Sequence, residues 1–295
     1  MELSKYRKQD QIYGYLFISP ILAGFLLFIT GPLIAGIAVS FSDWSVLSNN
    51  INFVGLKNYV DLIKNPDFYK VVFNTFYFAA GVVPLNIIFA LSLAMALNNN
   101  IPGIGFFRTA IFTPVITTLV IWSMVWQFIF APSGGVLNQL LLLVGIAGPN
   151  WLHDTRTAMP CVIVISSLKN VGINMTIILA SIQGIPKMYY ESAMIDGASG
   201  LKKFFYITLP MISPTLFAIV IVTIVGSLKV FGQIYVMTQG GPMNSTSVWA
   251  YDIYKRAFEY MEIGSASASS FLLFLALLSI TLFQWYMKKR WVHHE

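Results

Sequence analysis

Apolar residues run along this chain in blocks too long for the amphipathic helices of a soluble protein. Stretches without Asp, Glu, Lys or Arg cover 11–42, 71–107, 109–153 and 263–287. Two more, from 157 up to Lys187 and from 204 to 251, are interrupted only by Lys169 and Lys229. A bilayer core takes about 20 apolar residues per helix. Trimmed at turn signals, the blocks predict six membrane helices, over 12–41, 71–97, 106–131, 158–184, 209–238 and 266–287. Pro20, Pro32, Pro84, Pro114 and Pro160 fall inside or beside them, which membrane helices tolerate when neighbours satisfy the freed backbone groups. Lys5, Arg7 and Lys8 ahead of the first block resemble the start of a signal peptide, whose apolar core is roughly 7–15 residues closed by small side chains. Here the block runs on to Ser42-Asp43-Trp44, so the first helix is expected to be retained. The predicted class is an all-α membrane protein.

Composition agrees with that pattern. Of 295 residues, 57% are hydrophobic and 10% charged, with mean hydropathy +0.71. A soluble domain carries about 25% charged residues, so the water-exposed surface of one cannot be built from this chain. The net charge of +6 raises nucleic acid as a partner, and the placement of the charges removes it. With the N-terminus inside, cytoplasmic segments carry ten Lys and Arg: Lys5, Arg7, Lys8, Arg108, Lys187, Lys202, Lys203, Lys288, Lys289 and Arg290. Outside segments carry six (Lys57, Lys64, Lys70, Arg156, Lys255, Arg256), opposed by seven acids. The positive-inside rule then puts both termini in the cytoplasm. The single cysteine, Cys161, lies in an apolar run, which excludes an internal disulfide and a cysteine metal cluster. His153, His293 and His294 are too few and too scattered for a metal site, and no Ser/His/Asp grouping shares a span, so no catalytic residue is expected.

Two features stand out. Lys169 and Lys229 lie near the middle of the fourth and fifth spans, where a charge costs on the order of 2.5–3.5 kcal/mol on insertion scales. Each is expected to face a wet cavity, backbone carbonyls or a partner chain, so these two spans are read as lining a pathway. The connection between them, Gly184 to Leu209, predicts a short amphipathic cytoplasmic helix. Pro186 suits its first turn, Gly197 ends it or admits close backbone approach, and Pro210 opens the fifth span. The alternative for this helix is an interfacial element lying on lipid; Glu191 and Asp196 are poorly placed for an anionic leaflet.

Glu191-Ser192-Ala193, Asp196-Gly197-Ala198 and Ile207-x-Leu209-Pro210 resemble the EAA loop of binding-protein-dependent ABC importer permeases. That pattern is Glu-Ala-Ala, three residues, Gly, nine residues, Ile-x-Leu-Pro; Ser192 departs from it and keeps a small side chain. Phe53-Val-Gly-Leu-Lys-Asn-Tyr59, Phe107-Arg108-Thr109 leading to Pro114, and Thr238-Gln-Gly-Gly-Pro242 with Ser245-Thr246 resemble elements of the carbohydrate branch, the permeases related to the maltose, lactose and glycerol-phosphate importers. The likeness covers roughly residues 12–290. It implies one permease domain over 1–295, with a core of five helices over 71–287 that includes the loop 186–210.

From that resemblance follow the expected partners: a second permease, two copies of a cytoplasmic ABC ATPase, an extracellular or periplasmic solute-binding protein, and a carbohydrate, in a prokaryotic cytoplasmic membrane. No G-x-x-x-x-G-K-[ST] loop occurs, so ATP and magnesium are expected on the ATPase and no cofactor on this chain. Glu191 is expected to make a charge-assisted contact with the ATPase. Gly197 should permit the tight turn, Ala193, Ala198 and Ser192 close packing, and Asp196 a contact or a brace. Sugars need amides, hydroxyls and aromatic faces. Ser166, Asn170 and Asn174 share one face of the fourth span. Gly226, Lys229 and Gln233 share one of the fifth, with Tyr235 nearby. Trp122, Trp126 and Gln127 are the third span's candidates. The competing reading is that these polar groups bond across helix interfaces. The two lysines either meet carbonyls or a partner, or select an anionic sugar. The outside segment 43–70, with Asp43, Trp44 and Tyr59, either packs on the chain's own mouth or receives the binding protein. An ion-coupled secondary carrier would want intramembrane Asp, Glu or His, and no span contains one; permeases for non-sugar solutes share the EAA loop.

Overall fold

The computed structural model describes residues 2–47, 51–99 and 102–291, which are helical, with no strand among them beyond an isolated antiparallel bridge between Ser42 and Phe53. Three helices are long and apolar enough to cross a membrane by themselves: Tyr13–Ser40, Pro66–Ala96 and Ile263–Met287. Three bent pairs raise the number of candidate spans to as many as six. The chain divides into two compact units, 1–64 with 253–272, and 65–252 with 273–295.

In the first unit, helix α1 (Glu2–Phe25) passes through one wide π-type turn (Leu26–Thr30) into α2 (Gly31–Ser40). The segment after it folds back on the same helix. Asn58, on α3 (Lys57–Lys64), donates its amide to the carbonyls of Ser40 at 2.8 Å and Ser42 at 2.7 Å, satisfying carbonyls that a helix end leaves unpaired. Tyr59 is buried, its hydroxyl 2.5 Å from that of Ser40. Gly264 donates to the Trp44 carbonyl at 2.9 Å, and a Cβ there would stand 2.1 Å from the Ser42 carbonyl oxygen. So the Phe-Val-Gly-Leu-x-Asn-Tyr stretch packs on its own chain. Asp43 accepts from the backbone and side chain of Asn52, which holds its carboxyl below the usual carboxylate range.

The second unit is built around α4 (Pro66–Ala96). Asn65 caps it by accepting from the Asp67 N–H, Pro66 opens its first turn, and Asp67 complements the dipole. It packs on α8 (Ala158–Lys169), α9 (Val171–Gln183) and α13 (Ser213–Leu228) around Ala90, Ala94, Met175, Ile178 and Ile212. Small residues permit the approach: a Cβ at Gly81 would meet Ile163 at 2.8 Å, and one at Gly172 would meet the Ile111 carbonyl at 2.7 Å.

The predicted third, fourth and fifth spans are each broken. Between α5 (Ile104–Ile116) and α6 (Leu119–Ile129) the axis turns by 103°. Thr117 and Thr118 are extended, and Thr118 caps the new helix through the Ile121 N–H. Between α8 and α9 it turns by 47° at Asn170. The helix leading into the fifth span opens at Gly200, capped by Ser199 and earlier than the Pro210 start expected, and a 67° bend separates 200–211 from α13. Pro210 and Pro214 flank that bend, each lacking an N–H for the ladder. The span breaks again at Lys229 before resuming at Gly232–Met237. A short helix, α7 (Val136–Leu143), follows the third span and was not anticipated; the segment ahead of α13 holds the one-turn helices α11 (Gly200–Lys203) and α12 (Leu209–Met211).

Candidate functional site

The breaks in the fourth and fifth spans face one another across a cavity of about 500 Å³. Asn86 of α4, Ser166 of α8, Asn170 at the bend, Asn174 of α9, and Thr223, Lys229 and Gln233 of the fifth span supply its polar lining; Phe78 and Phe231 supply aromatic faces. A helix break belongs at a wet wall, because backbone groups freed from the ladder need water or a polar ligand. Asn86 is buried and donates to the Ser167 carbonyl at 2.7 Å, while its oxygen accepts from Asn174 at 2.5 Å. Asn174 also lies 3.5 Å from the Thr223 hydroxyl. One amide relay therefore joins four helices along the wall, α4, α8, α9 and α13. The Ser166 hydroxyl oxygen is buried and has no hydrogen-bond partner among the described residues. No acidic residue lines the space.

The sequence candidates separate into groups. Asn170, Asn174, Lys229 and Gln233 are brought together in the cavity. Trp122, Trp126, Gln127 and Tyr235 are not among its lining residues. Trp122 and Trp126 continue into Phe130 and Trp151 as a ladder of rings 5.6–5.9 Å apart, and the Trp122 N–H donates to the Ile165 carbonyl at 3.3 Å. Gln127 donates to the carbonyls of Val236 at 2.8 Å and Met237 at 3.2 Å. It borders a smaller cavity of about 270 Å³ formed with His153 and the Thr238–Pro242 stretch. Tyr235 stacks on Phe231 at 5.3 Å. Asn86 and Thr223 were missed, although an amide in the apolar block 71–107 was a usable signal.

The Thr-Gln-Gly-Gly-Pro loop is held by its own side chains. Thr246 reaches the Gly241 carbonyl and the Thr238 hydroxyl, both at 2.7 Å. Asn74 donates to the carbonyls of Asn244 and Ser247, and Lys70 to that of Met243.

The loop between spans four and five is a helix with a defined stop. Helix α10 (Lys187–Ile195) starts after Pro186 and ends in a left-handed turn at Gly197, φ +71°. The Ala198 N–H donates to the Ala193 carbonyl at 2.8 Å and the Gly197 N–H to the Met194 carbonyl at 3.1 Å. This is the Schellman pattern, which favours glycine at that position. Glu191, Ser192 and Asp196 are exposed, while Ala193 and Ala198 are half-buried. Met188, Met194 and Ile195 are exposed apolar groups on the same helix. Ile185 is buried in the core ahead of the helix, and the Tyr190 hydroxyl meets that of Thr208 at 2.9 Å.

Residues 86–292 match the family described as "Binding-protein-dependent transport system inner membrane component". The chain is 32% identical over 271 residues to the arabinooligosaccharides transport system permease protein AraP of Bacillus subtilis, covering 91% of this chain and 86% of that one. It is 33% identical to the trehalose/maltose transport system permease protein MalF of Thermococcus litoralis, over 95% of this chain and 94% of that one. A solved bacterial alginate ABC transporter, in complex with an alginate pentasaccharide-bound periplasmic protein, shares the fold with TM-score 0.86 at 24% identity, over 98% of both chains. This chain therefore belongs to the family of inner-membrane permease components of binding-protein-dependent ABC transport systems.

Proposed function

We propose that this permease carries a carbohydrate from an external binding protein into the cytoplasm, through a six-span domain with both termini cytoplasmic, paired with a second permease and driven by two copies of a separate ATPase. The observation that supports a carbohydrate most directly is the cavity at the two helix breaks. It offers side-chain amides, hydroxyls, aromatic faces and the Lys229 ammonium without an acidic group, which is the chemistry a polyhydroxylated ligand needs. The names of the relatives point to the same substrate class.

In this reading α10 is the element that receives the ATPase. Glu191 and Asp196 present carboxylates to basic residues of the partner, and the exposed apolar side chains fill its groove. Ala193 and Ala198 keep the helix close to its own chain. Movement of α10 has two mechanical outlets, the buried Ile185 before it and the Tyr190–Thr208 contact beside it. The first leads into α9, which lines the cavity, and the second into the start of the fifth span, whose later part, α13, lines it. ATP and magnesium act on the partner subunits; this chain's part is to convert their closure into rigid-body motion of the spans.

The test is a pull-down of the solubilised transporter, wild type against Glu191→Ala and Gly197→Asp, with partners identified by mass. Recovery of an ATPase and a second permease with wild type, and loss of the ATPase in the variants, is the expected result. Recovery of the chain alone, still moving substrate in vesicles without ATP, would mean an ion-coupled carrier instead.

A further inference from the structure

Between α5, from Arg108 to its end at Ile116, and α9, from Met175 to its end at Gln183, runs a groove of about 410 Å³ that the transport reading does not use. Its walls are apolar, with Phe112, Ile116, Met175 and Leu179 along its length. At the end it shares with Gln183, and hence with the α9–α10 connection, stands Arg108.

Arg108 is poorly satisfied for a guanidinium. Among the described residues it donates one hydrogen bond, to the Leu97 carbonyl at 3.1 Å, from five available N–H donors. Its Nε is buried and has no hydrogen-bond partner among the described residues. No acidic residue occurs between Asp67 and Asp154, or between Asp154 and Glu191, so neither helix bordering the groove can supply a counter-charge. A guanidinium without a counter-charge among the described residues, at the mouth of an apolar slot in a membrane protein, matches one amphiphile in particular, an anionic lipid with its phosphate at the cation and a chain along the slot. Basic pockets between membrane helices bind such headgroups, and Arg forms bidentate contacts with phosphate.

We propose that the α5–α9 groove is a binding site for an anionic glycerophospholipid, with Arg108 holding the phosphodiester and Phe112, Ile116 and Leu179 the acyl chain. The site lies at the same end of the helices as α10, so the lipid comes from the leaflet on that side. The inference rests on the groove and its unpaired cation, and stands apart from the identity of the transported solute.

The test uses the complete transporter in lipid nanodiscs with photoactivatable phosphatidylglycerol or phosphatidylcholine of matched chains, followed by mapping of labelled peptides. Wild type should be labelled within 104–116 and 171–183 by phosphatidylglycerol in preference to phosphatidylcholine. Arg108→Gln should lower that labelling about tenfold, the change expected for one lost charge-assisted contact. Arg108→Lys should retain part of it, which separates loss of the site from loss of folding. Ile116→Trp, at an exposed position in the groove, should lower labelling with the guanidinium intact. Equal labelling by the two lipids, unchanged labelling in Arg108→Gln, displacement by inorganic phosphate alone, or crosslinks from the groove to another polypeptide in place of lipid would each overturn the proposal.

Discussion

The break after Lys169 and the break at Lys229 form a matched pair with opposite surroundings. Each lysine stands where a helix stops inside an apolar run: α8 ends at Lys169, and Lys229 caps α13. Lys169 is buried, and its ammonium donates to the carbonyls of Pro114 at 2.6 Å and Val115 at 3.2 Å. Those carbonyls belong to the last turn of α5, where a helix leaves its oxygens unpaired and its dipole is negative. The 103° turn of the third span and the charge in the fourth thus compensate one another. Lys229 is exposed in the cavity and has no hydrogen bond or ion pair with the described residues. The insertion cost that marks both residues says only that compensation exists. Whether it comes from protein or from the cavity's contents is decided by the neighbouring helix.

Removing the first lysine should have the largest effect. Lys169→Met keeps the side chain's length and leaves two carbonyls at the bend without a donor, at about 1–3 kcal/mol each. Thermal unfolding of the assembled transporter should register a loss of about 2–6 kcal/mol by the same reasoning, with Lys169→Arg closer to wild type. Unchanged stability in the Met variant would mean that water serves the bend and the lysine is incidental. Gly172 tests the same junction from the other side. A methyl there meets the Ile111 carbonyl at 2.7 Å, so Gly172→Ala should cost about 1–3 kcal/mol through overpacking and should add less than its full cost on top of Lys169→Met, since both press on the last two turns of α5. Full additivity would separate the two.

A smaller loss is expected at the relay on the cavity wall. Asn174→Ala leaves the Asn86 oxygen without its donor, at about 1 kcal/mol or somewhat more, and should also weaken transport because the wall itself is altered. Lost transport with unchanged melting would place Asn174 on substrate and outside the framework.

How much of this could be read from the chain differs by region, and the reason is the range of the interactions. The α10 loop was legible because its determinants are local: Pro186 before the helix and Gly197 at a left-handed stop act within a few residues. The polar cluster at Asn170, Asn174, Lys229 and Gln233 was legible because polar groups stand out in apolar runs, while the breaks at Asn170 and Lys229 that shape it were not. The bend in the third span was not, since it depends on Lys169, 55 residues away from Pro114 in the chain. Trp122 and Gln127 look like ligand groups in isolation, and only the fold shows them bonded to the Ile165 and Val236 carbonyls. The packing of the segment 43–70 was not legible either, since Asn58 and Tyr59 reach back 18 and 19 residues to Ser40 at the end of the first helix.

Lys229 carries the smallest stability effect and the sharpest functional one. Lys229→Gln removes a charge that no described residue neutralises, so melting of the assembled transporter should shift by no more than about 0.5 kcal/mol, as for an ordinary exposed position. Uptake should show what the folded state does not. If the ammonium donates to a substrate hydroxyl, half-saturating substrate should rise by about threefold to tenfold, the worth of one hydrogen bond, for a neutral oligosaccharide and its uronate counterpart alike. A loss confined to the uronate would make Lys229 an anion selector. Melting as strongly affected as in Lys169→Met would end the contrast between the two breaks, because the second lysine would then also hold the fold together.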